Sequence, residues 1–190
     1  VGSAIKKELE KKGYKKIIIS NKNKLNLLDQ AKTFSFLKKN KPDFVIIAAA
    51  RVGGIIANLK NREKFIYENL QIQNNLIHGS YLAGVNNLIF LGSSCIYPKH
   101  SKQPIKESYL LSGKLEETNE AYSIAKLAGI KMCQYYREKL NVNYFSLIPP
   151  NLFGQNDNYN KNNSHFFPAL IRKIYEAKKK RKKYLNLWGS

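Results

Sequence analysis

The chain contains 190 residues, of which 43% are hydrophobic, and its formal net charge is +20 at pH 7. This length predicts one domain with a buried core, and the sequence shows neither an apolar run long enough for a membrane span nor a secretory signal. The charge is compatible with a nucleic-acid partner, but only five of the 33 basic residues are Arg, the side chain best suited to phosphates and base edges. We therefore expect no nucleic-acid partner and no membrane partner.

Hydrophobic periodicity alternates between helix and strand along the chain. In chain order it predicts a helix at 3–13, a strand at 16–20, a helix at 27–40 entered near Asp29, a strand at 42–50, a helix at 61–84, a strand at 86–94, a helix at 120–140, a strand at 143–150, a helix at 164–177 and a strand at 184–190. Continuous apolar strands separated by helices indicate a parallel sheet covered on both faces. The predicted fold class is α/β, with a doubly wound, Rossmann-like parallel sheet.

The two cysteines, Cys95 and Cys133, lie far apart in the sequence and show no metal-ligand spacing with histidine. We therefore predict no metal site and reduced thiols, as in a cytoplasmic protein. Taken alone, Cys95 is most simply a small buried hydrophobic residue.

The start of the chain has features of a nucleotide-binding end. Gly2, after Val1, would be the last glycine of a phosphate-binding turn at a helix N-terminus, although one glycine is weak evidence. The predicted strand at 16–20 is followed by Lys22 and Lys24 rather than by an acidic residue, and these lysines would attract a 2′-phosphate. This pattern favours NADP over NAD.

A cluster of polar side chains follows the strand at 86–94 and opens the helix at 120–140. Tyr122 and Lys126 are four residues apart, so both lie on one helix face, and Ser93 follows the buried strand. A tyrosine passes protons near neutral pH only when a neighbouring positive charge favours its phenolate. Together the three side chains could polarise a carbonyl beside a nicotinamide, whereas the alternative is a chance tyrosine–lysine spacing.

Several further segments carry a resemblance to a known family. They are "NLLD" (26–29), "AAARVGGI" (48–55), "FIYEN" (65–69), "LGSSCIYP" (91–98), "KQPIKES" (102–108), "YSIAKLAGIK" (122–131), "NLFG" (151–154), "NSHFFPAL" (163–170) and "WGS" (188–190). In this order the chain resembles the extended short-chain dehydrogenase/reductase family, and within it the enzymes that epimerise GDP-4-keto-6-deoxy-D-mannose at C3 and C5 and reduce it at C4 with NADPH.

The resemblance implies roles for individual residues. Ser93, Tyr122 and Lys126 would form the hydride-transfer triad, and Cys95 and His165 the acid–base pair of the epimerisation. The implied NADP(H)-binding residues are Val1, Gly2, Lys22, Leu91, Gly92, Ser93, Ser94, Tyr122, Lys126, Pro149, Pro150, Asn151, Leu152 and His165. Lys173 and Trp188 would contact the GDP-sugar substrate. Lys173 stands where the family usually has Arg, and Pro150 where a hydroxyl residue is common, so phosphate recognition and one polar contact near the nicotinamide are expected to be weaker.

Relative to that family, the chain lacks the first strand, which would be central in the sheet, and most of the C-terminal substrate lobe. Residues 1–190 would be a partial NADP-binding domain, with the substrate region beginning at about 155. We expect these residues alone to show no hydride transfer. Relatives of this fold form homodimers through the helices that correspond to 61–84 and 121–140.

Two alternatives stay open at this point. The first is another NAD(P)-dependent nucleotide-sugar epimerase or dehydratase of the same fold, which would not need Cys95 and His165. The second is a non-catalytic basic protein that binds polyanions or acts by interaction alone. Its main support is the run of basic residues at 178–183, which is more simply a solvated loop.

Overall fold

The computed structural model of the chain describes residues 1–160 and 164–187. Within them the helices are α1 (Gly2–Lys11), α2 (Gln30–Asn40), α3 (Ile55–Lys60), α4 (Arg62–Leu82), α5 (Glu120–Leu140) and α6 (Phe166–Lys179). The strands are β1 (Phe44–Ile47), β2 (Asn87–Leu91) and β3 (Asn143–Leu147), and short 3₁₀ turns occupy Ser94–Ile96 and Glu107–Tyr109. None of the described helices is both long enough and apolar enough to cross a membrane.

The three strands form one parallel sheet in the order β1-β2-β3. In its register Leu88 on the central strand lies between Val45 on one side and Tyr144 on the other. The crossover from β1 to β2 contains α4, and the crossover from β2 to β3 contains α5. Each returns the chain to the end of the sheet where the strands begin. The predicted parallel, Rossmann-like α/β fold is confirmed, and it brings the carboxyl ends of the strands to one edge.

Local sequence determines where the helices begin and end. The Asp29 side chain accepts a 3.0 Å hydrogen bond from the Lys32 amide and so caps α2. Lys41, with a φ of 38°, ends this helix just before Pro42, which cannot continue it. Gly84, with a φ of 77°, adopts the left-handed conformation that follows α4.

The core lies between the sheet and the helices α4 and α5. Ile77, Leu88, Phe90 and Tyr144 are almost completely buried within it. Side chains alternate between the two faces of a strand, and those that point away from this core are more exposed. Phe44, Phe145 and Leu147 on that face are 48%, 47% and 52% exposed in the described part of the chain.

Two predicted strands are not formed. Residues 16–20 form no strand, because no strand in the described part of the chain pairs with them, and Ile18 and Ile19 are 49% and 57% exposed. Residues 184–187 likewise form no strand, and Tyr184 is 85% exposed. The remainder of that prediction, 188–190, lies outside the described residues. β-Propensity without a hydrogen-bonding neighbour does not make a strand.

The other elements differ from prediction mainly at their ends. β1, β2 and β3 are shorter than the predicted strands because residues 48–50, 92–94 and 148–150 leave the sheet at its carboxyl edge. The short helix α3 was not predicted. It follows the glycine pair Gly53 and Gly54, where periodicity over six residues is too brief to be distinctive.

Candidate active site

The polar turn after β2 is held tightly against the sheet. The Gly92 amide donates a 2.7 Å hydrogen bond to the Leu147 carbonyl on β3. A Cβ atom at Gly92 would lie 3.0 Å from Cδ1 of Ile130 and 3.2 Å from the same Leu147 carbonyl oxygen. A glycine is therefore needed at this position to bring the next residues, Ser93 and Cys95, over the carboxyl end of the strand.

Ser93, Cys95 and Tyr122 meet at this end of β2. The Ser93 Oγ accepts a 3.4 Å hydrogen bond from the Cys95 amide, which opens a 3₁₀ turn. Tyr122, in the first turn of α5, lies close enough to Ser93 and Cys95 that both side chains influence its pKa. The structure thus brings together three of the five side chains that the sequence predicted as catalytic.

The protonation state of Tyr122 is governed by its burial. Desolvation, with a smaller contribution from the charge of Cys95, raises the pKa of Tyr122 to about 12, against the lowering effect of the Ser93 hydrogen bond. Burial, rather than a neighbouring positive charge, therefore determines the direction of the shift in the pKa of Tyr122. In this arrangement Tyr122 is a neutral phenol near pH 7 and can donate its proton.

Lys126 is the fourth predicted side chain of the cluster, and it is only 4% exposed. Its Nζ donates a 2.7 Å hydrogen bond to the Leu91 carbonyl and lies 5.9 Å from the centre of the Tyr122 ring. Burial lowers the pKa of Lys126 to about 8. The amine is therefore largely charged near neutral pH, and it faces the main chain of β2 rather than a carboxylate.

A large cavity of about 670 Å³ lies at the carboxyl end of β1, and its wall includes Phe65, whose ring contacts Tyr122. Its walls come mainly from residues 20–22 and 25–28, from residues 48–53 after β1 and from α4. Lys22 lines it, whereas Lys24 is not among its lining residues. Gly2, the first residue of α1, lies beside this wall, because a Cβ atom there would be 3.6 Å from the Ala48 Cβ. The exposed Val1 is the N-cap residue of α1.

A second cavity, of about 360 Å³, lies between the turn after β2 and the residues after β3. It is lined by Ser94, Tyr97, Ile105, Glu107, Ser146, Leu147, Ile148 and Pro150. Two predicted cofactor-binding residues, Ser94 and Pro150, therefore share one cavity. Pro149 is partly buried beside it, and Asn151 and Leu152 continue the chain on the exposed side.

The remaining predicted site residues do not join the cluster in the described contacts. His165 is the exposed N-terminal cap residue of α6, and none of the described contacts links it to Cys95 or Tyr122. Its neighbour Ser164 packs against the loop after β1, where a Cβ atom at Gly54 would be 2.8 Å from the Ser164 carbonyl oxygen. Lys173 is partly buried on α6. Trp188 lies outside the described residues.

Sequence reasoning missed a group of side chains behind Tyr122. The Phe65 ring meets the Tyr122 ring edge-on, with 6.5 Å between centroids, and the Arg51 guanidinium lies 5.4 Å from the Phe65 centroid. Arg51 Nη1 also contacts both carboxylate oxygens of Glu68 at 2.9 Å, and its amide donates to Asn69. Phe65, Glu68 and Asn69 lie at the i, i+3, i+4 spacing of one helix face, which was the available signal.

The geometry supports acid–base chemistry at an oxygen atom of a ligand. A neutral phenol, a neighbouring hydroxyl and a nearby thiol lie at the same end of β2, with a buried ammonium group one helical turn away. In the described residues no group of three His, Cys, Asp or Glu side chains could hold a metal ion. The sheet and this cluster together define the class: a Rossmann-like fold of the dinucleotide-binding type.

Comparison with known proteins places the chain within this class. It belongs to the NAD dependent epimerase/dehydratase family, whose sequence model matches residues 1–190. The chain is 51% identical over 190 residues to the GDP-L-fucose synthase of Sinorhizobium fredii, covering 100% of this chain and 60% of that protein. It is 47% identical to the Escherichia coli GDP-L-fucose synthase, with coverages of 100% and 59%. The predicted resemblance is confirmed.

Solved structures agree with these sequence relationships. A GDP-L-fucose synthetase from Naegleria fowleri bound to NADP is 30% identical, has a TM-score of 0.87 and covers 100% of this chain and 62% of that one. The chain thus spans about 60% of the length of the curated relatives it matches.

Proposed function

We propose that the protein containing this chain converts GDP-4-keto-6-deoxy-D-mannose to GDP-L-fucose, by inversion at C3 and C5 and reduction at C4 with NADPH. The observation that carries the proposal is the meeting of Ser93, Cys95 and Tyr122 at the end of β2, one helical turn from buried Lys126. The 51% identity to a GDP-L-fucose synthase supports this choice of substrate.

The residues present fit NADP(H). The 670 Å³ cavity lies at the carboxyl edge of the sheet, where dinucleotides bind in such folds, and Lys22 in its wall suits a 2′-phosphate. Gly92 keeps the turn at 91–94 close to β3 and α5, since a Cβ atom there would be in tight contact with Ile130 and the Leu147 carbonyl. Lys22, the turn at 91–94 and the residues at 149–152 would hold the cofactor. When bound, NADPH supplies the hydride.

In the reduction, Tyr122 gives its proton to the C4 oxygen. Its raised pKa keeps this proton in place until the oxygen gains negative charge. Ser93, which lies beside Tyr122, donates a second hydrogen bond to the same oxygen. The Lys126 ammonium, buried beside the phenol ring, stabilises the phenolate left after transfer.

In the epimerisation, Cys95 and His165 exchange protons at C3 and C5, which the C4 ketone makes acidic. Inversion needs a base on one face of the sugar and an acid on the other. The electrostatic interaction between Cys95 and Tyr122 supports a location of the thiol near C4. The proposed role of His165 rests on the family resemblance, and its position at the start of α6 would let it face the sugar from the other side.

We also propose that residues 1–190 are the greater part of the nucleotide-binding domain, that the substrate region begins near 155, and that the protein is a cytoplasmic homodimer.

The dimer would form through α4 and α5, which expose Tyr67, Leu82 and Tyr135 at 64%, 57% and 57%. Tyr135→Glu and Tyr67→Glu should then shift the full-length protein from dimer to monomer in sedimentation experiments. A protein that stays dimeric would place the interface elsewhere.

The proposed reaction is tested by incubating the full-length protein with NADPH and GDP-4-keto-6-deoxy-D-mannose in D₂O. We expect GDP-L-fucose carrying deuterium at C3 and C5, which proton NMR of the product detects. A product reduced at C4 without inversion would instead assign the protein to another GDP-sugar reductase of this fold. Absence of any NADPH oxidation by the full-length protein would contradict the proposal entirely.

A further inference from the structure

The buried amine of Lys126 rests on an aromatic ring that the reaction proposed above does not use. Phe90 on β2 is 1% exposed, and its ring centre lies 4.6 Å from the Lys126 Nζ. A cation that lies within about 6 Å of a ring centroid is attracted by the ring face, and more strongly when both groups are removed from water. The contact therefore provides Lys126 with electrostatic stabilisation inside the core.

The space for this ring exists because α5 carries a glycine where it crosses β2. A Cβ atom at Gly129 would lie 2.6 Å from Cζ of Phe90 and 2.8 Å from Oε1 of Gln73. The helix backbone thus lies against one part of the Phe90 ring, while Lys126, three residues earlier on the same helix, reaches the ring with its amine. The ring position is set by close packing rather than by the lysine itself.

The other neighbours of Lys126 supply little compensation for its charge. Its Nζ donates to the Leu91 carbonyl at 2.7 Å, and none of the described ion pairs includes it. The titratable group that the described contacts place beside it is Tyr122 on its own helix, which in turn lies near Cys95 after β2, and burial keeps Tyr122 neutral near pH 7. Gln73 on α4 donates to the Ala125 carbonyl, not to Lys126.

We propose that Phe90 is a positioning residue, whose ring face keeps the Lys126 amine charged and held at the carboxyl end of β2. Leu91 fixes the direction of the amine through one hydrogen bond, and Phe90 supplies the electrostatic support that no carboxylate provides in the described contacts. The catalytic consequence rests on the proposed function, because there a charged Lys126 stabilises the Tyr122 phenolate. The effect on Lys126 itself does not depend on any activity.

The proposal is tested in the full-length protein with Phe90→Leu, which keeps an apolar side chain but removes the ring. The matched control is Phe145→Leu, since the Phe145 ring on β3 carries a similar contact, 5.4 Å from Arg137, on the opposite face of the sheet from Phe90. The readout is the titration of Lys126 followed by NMR of ¹³C-labelled lysine, with its signal assigned by Lys126→Met. We expect the pKa of Lys126, now about 8, to fall by about one unit in Phe90→Leu and to stay unchanged in Phe145→Leu.

A second variant preserves the shape of the ring. Site-specific replacement of Phe90 by 3,5-difluorophenylalanine weakens the negative ring face with little change in volume, so it separates electrostatics from packing. We expect the pKa of Lys126 to fall in this protein too, by less than in Phe90→Leu. An unchanged Lys126 pKa in the fluorinated protein would overturn the proposal, and this variant still provides the test if Phe90→Leu does not fold.

The pH profile of the reaction is a separate readout. If the proposed function holds, the alkaline limb of kcat should move about one unit toward lower pH in Phe90→Leu, with little change in KM for the sugar. A shifted Lys126 pKa in a protein without sugar-converting activity would support the role of Phe90 and contradict the proposed function. An active protein in which Phe90→Leu leaves both the Lys126 pKa and the alkaline limb unchanged would support the function and contradict the role of Phe90.

Discussion

The Lys126 amine donates a 2.7 Å hydrogen bond to the carbonyl oxygen of Leu91, and the bond ties the second turn of α5 to the last residue of β2. It positions the helix face that carries Tyr122 over the turn at Ser93. Burial of the amine also disfavours its charged form and lowers the pKa of Lys126 to about 8.

The first prediction concerns the pH dependence of stability. Lys126 has a pKa of about 8 in the folded chain and an ordinary value of 10.5, so between these values the unfolded chain binds more protons and stability rises with pH. The free energy of unfolding of the wild type, relative to Lys126→Met, should increase by about 3 kcal/mol between about pH 7 and pH 10.5.

Urea unfolding of the full-length protein across this pH range measures the difference. Lys131→Met is the matched control, because the Lys131 amine donates to Gln134 on the partly exposed side of the same helix. Because Lys131→Met keeps Lys126, the difference in free energy of unfolding between the wild type and this control should not change with pH. A wild-type curve that runs parallel to the Lys126→Met curve would show that Lys126 is not held as a destabilised buried cation.

The second prediction concerns the contact between α5 and its neighbours at Gly129. In a helix interior, Gly→Ala ordinarily stabilises by about 1 kcal/mol. Here the added Cβ would lie 2.6 Å from the Phe90 ring and 2.8 Å from the Gln73 amide, both buried. We expect Gly129→Ala to destabilise by about 1–3 kcal/mol through overpacking, measured as a lower urea midpoint.

Gly154→Ala is the control for that substitution, because nothing lies within 4 Å of a Cβ atom at Gly154. Its midpoint should stay close to that of the wild type. A stabilised Gly129→Ala protein would mean that α5 can move away from β2 without cost, which the close packing at this point argues against.

The third prediction separates the two cysteines by reactivity. Cys133 is 1% exposed and burial raises its pKa to about 11, whereas Cys95 is partly exposed in the turn after β2. At about pH 8, iodoacetamide should modify Cys95 at least about 100-fold faster than Cys133, because the thiolate is the reacting form. Peptide mass spectrometry identifies the modified residue, and Cys95→Ala should lose the fast reaction. Equal rates would contradict the placement of Cys95 at an open site.

The fourth prediction tests the choice of cofactor. Lys22 lines the 670 Å³ cavity, so Lys22→Asp should weaken binding of NADPH about tenfold or more while affecting NADH much less. Binding is followed by isothermal titration of the full-length protein. Lys16→Asp changes the charge equally at an exposed position outside the cavity lining and should leave both affinities near their wild-type values. If NADPH binding is equal in the two variants, Lys22 does not contact the 2′-phosphate.

Sequence periodicity predicted the parts of the fold that are stabilised locally. α5 was predicted with both of its ends correct, because its helical pattern is long, and the spacing of Tyr122 and Lys126 follows directly from the helix. The strand predicted at 16–20 failed because a strand depends on a neighbour that local sequence does not reveal. The shortened ends of β1, β2 and β3 have the same origin, since hydrogen-bonding partners decide where a strand stops.

The site was predictable in its residue types but not in its electrostatics. Family motifs identified Ser93, Cys95 and Tyr122, which the fold brings together. The rise in the pKa of Tyr122 could not be predicted, because it depends on burial between elements far apart in sequence. The rings of Phe65 and Phe90 were also missed, since an aromatic residue in a helix or a strand is indistinguishable from ordinary core until its neighbours are known.

The most direct test of the account is to separate proton exchange from reduction in one pair of variants of the full-length protein. With NADPH and GDP-4-keto-6-deoxy-D-mannose in D₂O, Tyr122→Phe should lose reduction by about 10²-fold or more while still exchanging the protons at C3 and C5. Cys95→Ser should lose exchange and inversion by a similar factor while its Tyr122 remains able to donate a proton. Tyr135→Phe, altered on the exposed side of α5, should behave as the wild type. Full reduction by Tyr122→Phe, or unchanged exchange by Cys95→Ser, would contradict the assignment of these side chains to the reaction.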